Sequence, residues 1–192
     1  MLIDRIKGAF MFRKGVYAEV AKDASFTTDA WLIVLVVNFI AQLGTSAAYL
    51  SSGRGFFGFV VSVFVGTALA LAAFAISAFL ISWVGREMFK STATFEELVR
   101  AMGLANVWRI IGFIGILSAI TPLLACVLSP VTLLAGLAGL VAYFFSIREA
   151  TNMEWVGVIV TVIVALIIQL IVTAIAGGIL AAFGLGAAAL LN

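Results

Sequence analysis

From Val156 to Leu191 the chain carries no charged side chain; Ala30–Leu50 and Phe56–Val84 are likewise charge-free, and Val107–Phe145 is interrupted only by Arg109. A soluble domain of this size leaves too much surface in water to hide such runs. A helix crosses a bilayer with ~20 apolar residues, so lipid is the solvent for most of this chain. Composition agrees: 10% of residues are charged, against about 25% in an average soluble domain. The runs are continuous rather than alternating, which argues against a transmembrane barrel. In lipid the helix satisfies every backbone group internally and overrides the β-branched richness of Val156–Ile175. The expected fold is all-α: a polytopic integral membrane bundle of five transmembrane helices, N-terminus cytoplasmic.

The expected division is a cytoplasmic or interfacial N-terminal segment, 1–29, and a five-span membrane domain, 30–192. Its spans are placed near 30–50, 56–84, 107–124, 130–145 and 156–177. The second exceeds the bilayer requirement and should tilt or protrude. The third and fourth share the 39 residues Val107–Phe145, and Pro122 and Pro130 bracket the turn, near Ala125–Ser129. Their arms are short enough for a re-entrant pair. Beyond Gly177-Gly178 the tail suggests a short helix at the far interface. In the N-terminal segment, Leu2, Ile3, Ile6, Phe10, Tyr17 and Val20 recur at helical spacing. Gly8 and Gly15 divide it into two amphipathic pieces, lying either on the membrane or on the protein's own loops. The mixed charges there do not read as a cleavable signal.

Ten of the eleven Lys and Arg residues, and all nine acids, fall in the N-terminal segment and in two alternate loops, Gly85–Arg109 and Ser146–Trp155. The positive-inside rule therefore places those segments in the cytoplasm. In the first loop, Thr94-Phe95-Glu96-Glu97 reads as a capping box that opens a helix.

The chain has no histidine and one cysteine, Cys126. The commonest general base and metal ligand are therefore missing, and an internal disulfide is impossible. No nucleophile–base set, metal cluster or P-loop is present, so no catalytic, cofactor or metal residues are expected, and no nucleic-acid partner. Gly53-Arg54-Gly55-Phe56-Phe57-Gly58 matches a dinucleotide fingerprint but lacks the strand and βαβ setting it requires. Glu96, Glu97, Arg100, Arg148 and Glu149 share the cytoplasmic side as a solvated rim or as a docking surface for a cytosolic or membrane protein partner or for lipid head groups. Asn38, Gln42 and Gln169 form a candidate intramembrane polar cluster, acting as packing glue or lining a polar path. Gly58, Ser62, Gly66 and Ala70, and Gly157, Ala165 and Gly177, form small-residue stripes suited to packing inside the bundle or to a homo-oligomer seam.

Three segments carry a family resemblance: Asp4-Arg5-Ile6 with Val16-Tyr17-Ala18-Glu19-Val20-Ala21-Lys22-Asp23; Thr94-Phe95-Glu96-Glu97-Leu98-Val99-Arg100 followed by Gly103 and Ala105; and Ile147-Arg148-Glu149-Ala150-Thr151. Together, and in this order, they resemble bacterial Yip1-domain membrane proteins. The resemblance implies five spans, a cytoplasmic N-terminus and a non-enzymatic role. Eukaryotic members of that family have a longer N-terminal region and are linked to Rab GTPases and vesicle traffic. The expected function is a membrane adaptor or organising protein acting through its cytoplasmic face, in a bacterial inner membrane. The alternative is a small transporter or permeation pathway for a neutral or lipid-like molecule.

Overall fold

The computed structural model describes residues 2–47, 50, 55–119 and 122–182, and for 118–119, 122–126 and 172–182 the backbone alone. Among the described residues there is no strand. The helices are α1 (Leu2–Phe10), α2 (Val16–Lys22), α3 (Thr27–Thr45), α4 (Gly55–Phe89), α5 (Phe95–Ala105), α6 (Pro122–Thr151) and α7 (Trp155–Ala182). A 3₁₀ turn, Ala24–Phe26, leads into α3, and a long 3₁₀ segment, Asn106–Ala119, continues α5. Four stretches are long and apolar enough to cross a membrane: 24–45, 55–89, 95–117 and 127–151. The apolar part of α7 with described side chains, Trp155–Ile171, is shorter.

The large side chains face outward. In the most apolar stretches of α4 and α6 only 11% of residues are buried, and Phe57, Phe64, Leu69, Leu133 and Leu134 stand exposed. This is the distribution that lipid solvent demands, since apolar groups lose nothing by facing hydrocarbon. The closest packing gathers at the charged end, where Tyr17, Phe26, Leu98, Met102, Leu104 and Ile147 are almost fully buried.

The third crossing departs from the expected α-helix. Fourteen residues of α-helix would rise only ~21 Å; as 3₁₀ they rise ~28 Å, close to the ~30 Å hydrocarbon core. The extended form therefore lets a short arm span. Glycines hold it against α3. A Cβ on Gly115 would stand 3.0 Å from the Gly44 carbonyl, and one on Gly44 would overlap the Gly112 carbonyl.

Ala125–Ser129, where the turn between the third and fourth arms was expected, is helical instead, because α6 already begins at Pro122. Proline suits a first helical position, where its missing N–H would be unbonded anyway. Pro130 then lies inside α6, a placement that membrane helices tolerate. The helix of the second arm begins near Gly55 and outlasts the expected span: α4 is 35 residues long. The backbone of α7 continues past Gly177-Gly178 to Ala182; the tail helix expected beyond lies outside the described residues, as does Arg54 of the dinucleotide-like motif.

The N-terminal segment does form two helices, and both pack on the protein itself. Ala9, Val16, Tyr17, Val20 and Ala21 are buried, and α2 rests on α5 and α6. Burial of Tyr17 pushes its phenol above the ordinary value. One test separates load-carrying glycines from free ones. Gly44→Ala should destabilise the detergent-solubilised protein by about 1–3 kcal/mol through overpacking. Gly136→Ala, where an added Cβ meets nothing within 4 Å, should leave the melting temperature unchanged.

Candidate functional site

Two places carry the polar groups: a cap at the charged end, and a cleft inside the bundle. The cap is built around α2, which at seven residues is too short to persist alone. Other segments hold both of its ends. The Glu149 carboxylate, from the end of α6, accepts hydrogen bonds from the backbone N–H groups of Gly15 (3.0 Å), Tyr17 (3.0 Å) and Ala18 (3.2 Å). At the other end the buried Arg100, from α5, donates through Nε to the Ala21 carbonyl at 2.8 Å and through Nη1 to the Thr27 hydroxyl at 3.0 Å. An anion thus sits at the helix N-terminus and a cation at its C-terminus, the signs that the helix dipole favours, and these four backbone groups at the helix ends find partners.

Arg5 adds a clamp, donating to Asp23 at 2.7 Å and to Glu19 at 3.1 Å, with its guanidinium 5.0 Å above the Phe26 ring. Arg13 also reaches Glu19 at 3.0 Å. Thr94 and Glu97 form the expected capping box, Glu97 accepting from the Thr94 N–H at 2.7 Å.

These contacts divide the five candidate docking residues. Glu97, Arg100 and Glu149 are committed to helix ends inside the cap. Arg100 is buried rather than part of a solvated rim, because the Ala21 carbonyl and the Thr27 hydroxyl draw its guanidinium inward. Glu96 is exposed, 3.9 Å from Arg100. Arg148 is exposed with its guanidinium 4.7 Å over the Trp155 ring.

The polar cluster expected in the membrane is likewise divided. Asn38 is buried and donates to the Val34 carbonyl of its own helix at 2.7 Å. Gln42 accepts from the Thr45 hydroxyl at 2.7 Å and lies against Gly66. Gln169 accepts from the Ser77 hydroxyl at 2.8 Å, joining α7 to α4. Of the stripe on α4, Ser62 bonds Ser46, the C-cap of α3, at 2.9 Å, Gly66 meets Gln42, and Gly58 is half-buried. Gly157 faces the Phe89 ring and Ala165 is buried; the surroundings of Gly177 lie outside the described residues.

Asn38 and Gln169 both line a cleft of about 620 Å³ whose walls come from α3, α4, the end of α5, the 3₁₀ segment, α6 and α7. Gln42 is not among its lining residues. Ala70 of the α4 stripe is, so small residues there make room as well as contacts. Arg109 is the one charged residue in the lining. It was counted with the loop Gly85–Arg109, at the edge of the span expected near 107–124; it lies in the 3₁₀ segment, within the membrane-length helical run 95–117. Among the described residues no carboxylate pairs with it. A charge within the bilayer costs about 2.5–3.5 kcal/mol at its centre and less toward the interface. Beside it, Asn106 Nδ2 and Trp108 Nε1 are buried donors without a partner. Sequence reading missed this constellation. The available signal was the three-residue spacing of Asn106, Arg109 and Gly112, which aligns them only if the segment is 3₁₀. Trp108 also joins cleft to cap, because Phe10 and Phe12 lie on it at 5.0 and 5.4 Å.

Removing a latch should free α2 specifically. Glu149→Ala and Arg100→Met should each cost about 1–3 kcal/mol. Hydrogen exchange of the α2 amides should speed up while that of α4 stays slow; unchanged protection of α2 in both variants would mean that packing alone holds it. Acid should act on the clamp. Hydrogen bonds from Ser25, then from Arg5, hold the Asp23 carboxyl below its usual range. A carboxyl with a depressed folded-state pKa stabilises the fold above its unfolded value of ~3.9, and that contribution is lost as pH falls through the folded value. Exchange in the N-terminal segment should therefore rise below about pH 4, and Asp23→Asn should remove that pH-dependent part.

No curated protein and no solved structure matches the chain. The model of the Yip1 domain matches residues 9–177, which takes in α2, both charged loops and every wall of the cleft. Members of that family are in general non-enzymatic membrane proteins. The chain is a multi-pass helical membrane protein and belongs to the Yip1 family.

Proposed function

We propose that this protein is a five-span membrane adaptor, N-terminus cytoplasmic, that organises other components through its cytoplasmic face in a bacterial inner membrane. What supports the reading is the interlocking of three distant segments into one cap. Residues 15–27, 94–100 and 147–149 meet through Arg100 and Glu149. Preorganised surfaces bind with less ordering cost than loose loops. The asymmetric placement of Lys and Arg supports the orientation. For the fifth crossing, the 28 residues of α7 rise ~42 Å, enough to span.

With Glu97, Arg100 and Glu149 occupied inside the cap, the exposed charges that a partner can reach include Glu96, Arg148, Lys7, Lys14 and Lys22. Reversing Glu96→Lys together with Arg148→Glu should release a stoichiometric partner co-purified in mild detergent, at least tenfold, without lowering the melting temperature. Undiminished partner binding in that variant would sink the adaptor reading.

A second reading is favoured by one observation, the cleft beside Asn38 and Gln169. In it the protein holds or passes a lipid-like molecule within the membrane.

A further inference from the structure

We propose that the cleft binds one anionic phospholipid, its phosphate on Arg109 and an acyl chain along the apolar wall. This deepens the second reading and rests on it. The first reason is charge. The cap pairs Arg5, Arg13 and Arg100 with acids of the chain, whereas Arg109 faces the cleft with no acid among the described lining residues. A ligand that brings its own negative charge completes the site.

The second reason is hydrogen-bond type. Asn106 and Trp108, on either side in sequence, each hold a buried donor without a partner. Guanidinium, amide N–H and indole N–H are all donors, so the site asks for a group rich in acceptors. A phosphodiester supplies both the charge and the oxygens, and an arginine pairs with it at short range.

The third reason is shape and access. The volume, about 620 Å³, falls in the ordinary range for ligand sites, roughly 300–1,000 Å³. An added Cβ at Gly136 meets nothing within 4 Å, so the wall there borders open space. Among the described residues the elements pack in the order α6, 3₁₀ segment, α3, α4, α7, and α6 and α7 meet only sparsely. The lining on those two helices includes Leu140 and Leu166, both about half exposed (52% each). A molecule entering between them comes from the hydrocarbon layer, which selects a lipid over a water-borne phosphate.

The test uses the full chain in mild detergent, titrated with phosphatidylglycerol or phosphatidylcholine of matched acyl chains and read by native mass spectrometry. One phosphatidylglycerol per chain is expected, bound about tenfold tighter than phosphatidylcholine, a difference of ~1.4 kcal/mol. Arg109→Gln should erase that preference and Arg109→Lys should restore part of it. Gly136→Leu should fill the cleft and weaken binding of phosphatidylglycerol with the charge intact. Should Arg109→Gln fail to fold, Gly136→Leu and Arg109→Lys still decide the matter. An excess of inorganic phosphate should leave the bound lipid in place; displacement by it would make the ligand a free anion and overturn the proposal. Equal retention of both lipids by the unaltered chain, lost in Gly136→Leu, would overturn the anionic assignment and leave the lipid reading standing. No retained lipid at all would end both, and phosphatidylglycerol retention unaffected by Gly136→Leu would place the lipid elsewhere.

Discussion

The cap depends on a seven-residue helix held at both ends by charges from elsewhere. α2 has neither the length to nucleate itself nor a capping side chain of its own; Gly15 stands at its N-cap in a left-handed conformation. Glu149 and Arg100 provide what the segment lacks, three accepted hydrogen bonds at one end and one donated to the Ala21 carbonyl at the other, with a second from Arg100 to Thr27 at the start of α3. Because Glu149 ends α6 and Arg100 lies mid-α5, the same contacts tie the N-terminal segment to both charged loops. In a membrane bundle this matters more than in a soluble core. Helices within lipid gain no hydrophobic drive toward one another, so fixed polar contacts at the water-facing end help to set how the crossings are arranged.

The second constraint is the close crossing of α3 and the 3₁₀ segment at Gly44, Gly112 and Gly115. It brings backbone against backbone and carries Asn106 and Arg109 along one edge into the cleft. The cleft exists because small residues wall it, Ala70 and Ala73 on α4 and Ala135, Gly136 and Gly139 on α6, while the large side chains of those helices point outward to lipid. Phe10 and Phe12 against Trp108 place the N-terminal segment directly over this region. Cap and cleft are thus in direct contact through these two ring pairs.

Much of this was legible in the sequence. The charge-free runs established a helical membrane protein, because no other spanning structure satisfies the backbone without alternation. The capping box at Thr94–Glu97 was readable since its four residues are local and act within one turn. The small-residue stripe of α4 was readable as a packing face, though its partner, α3 through Gln42 and Ser46, was not. Arg100 and Glu149 were read as part of a charged rim or docking surface, and their commitment to the ends of α2 was not read. Nothing local distinguishes a rim charge from one that caps a helix about 80 or 130 residues away in the chain. The turn expected at Ala125–Ser129 was misplaced because either proline could have begun the helix.

The sequence by itself determined the solvent, the helical class and the clustering of charge in alternate segments, all of which follow from composition and periodicity along the chain. Only the tertiary structure decided which charges are spent inside the cap, that the third crossing is 3₁₀, and that Arg109 stands in a cleft without a counter-charge. The physical reason is that each depends on a partner far away in sequence. A guanidinium carries the same letter whether it meets water, a helix end or an empty wall, and folding alone chooses among them.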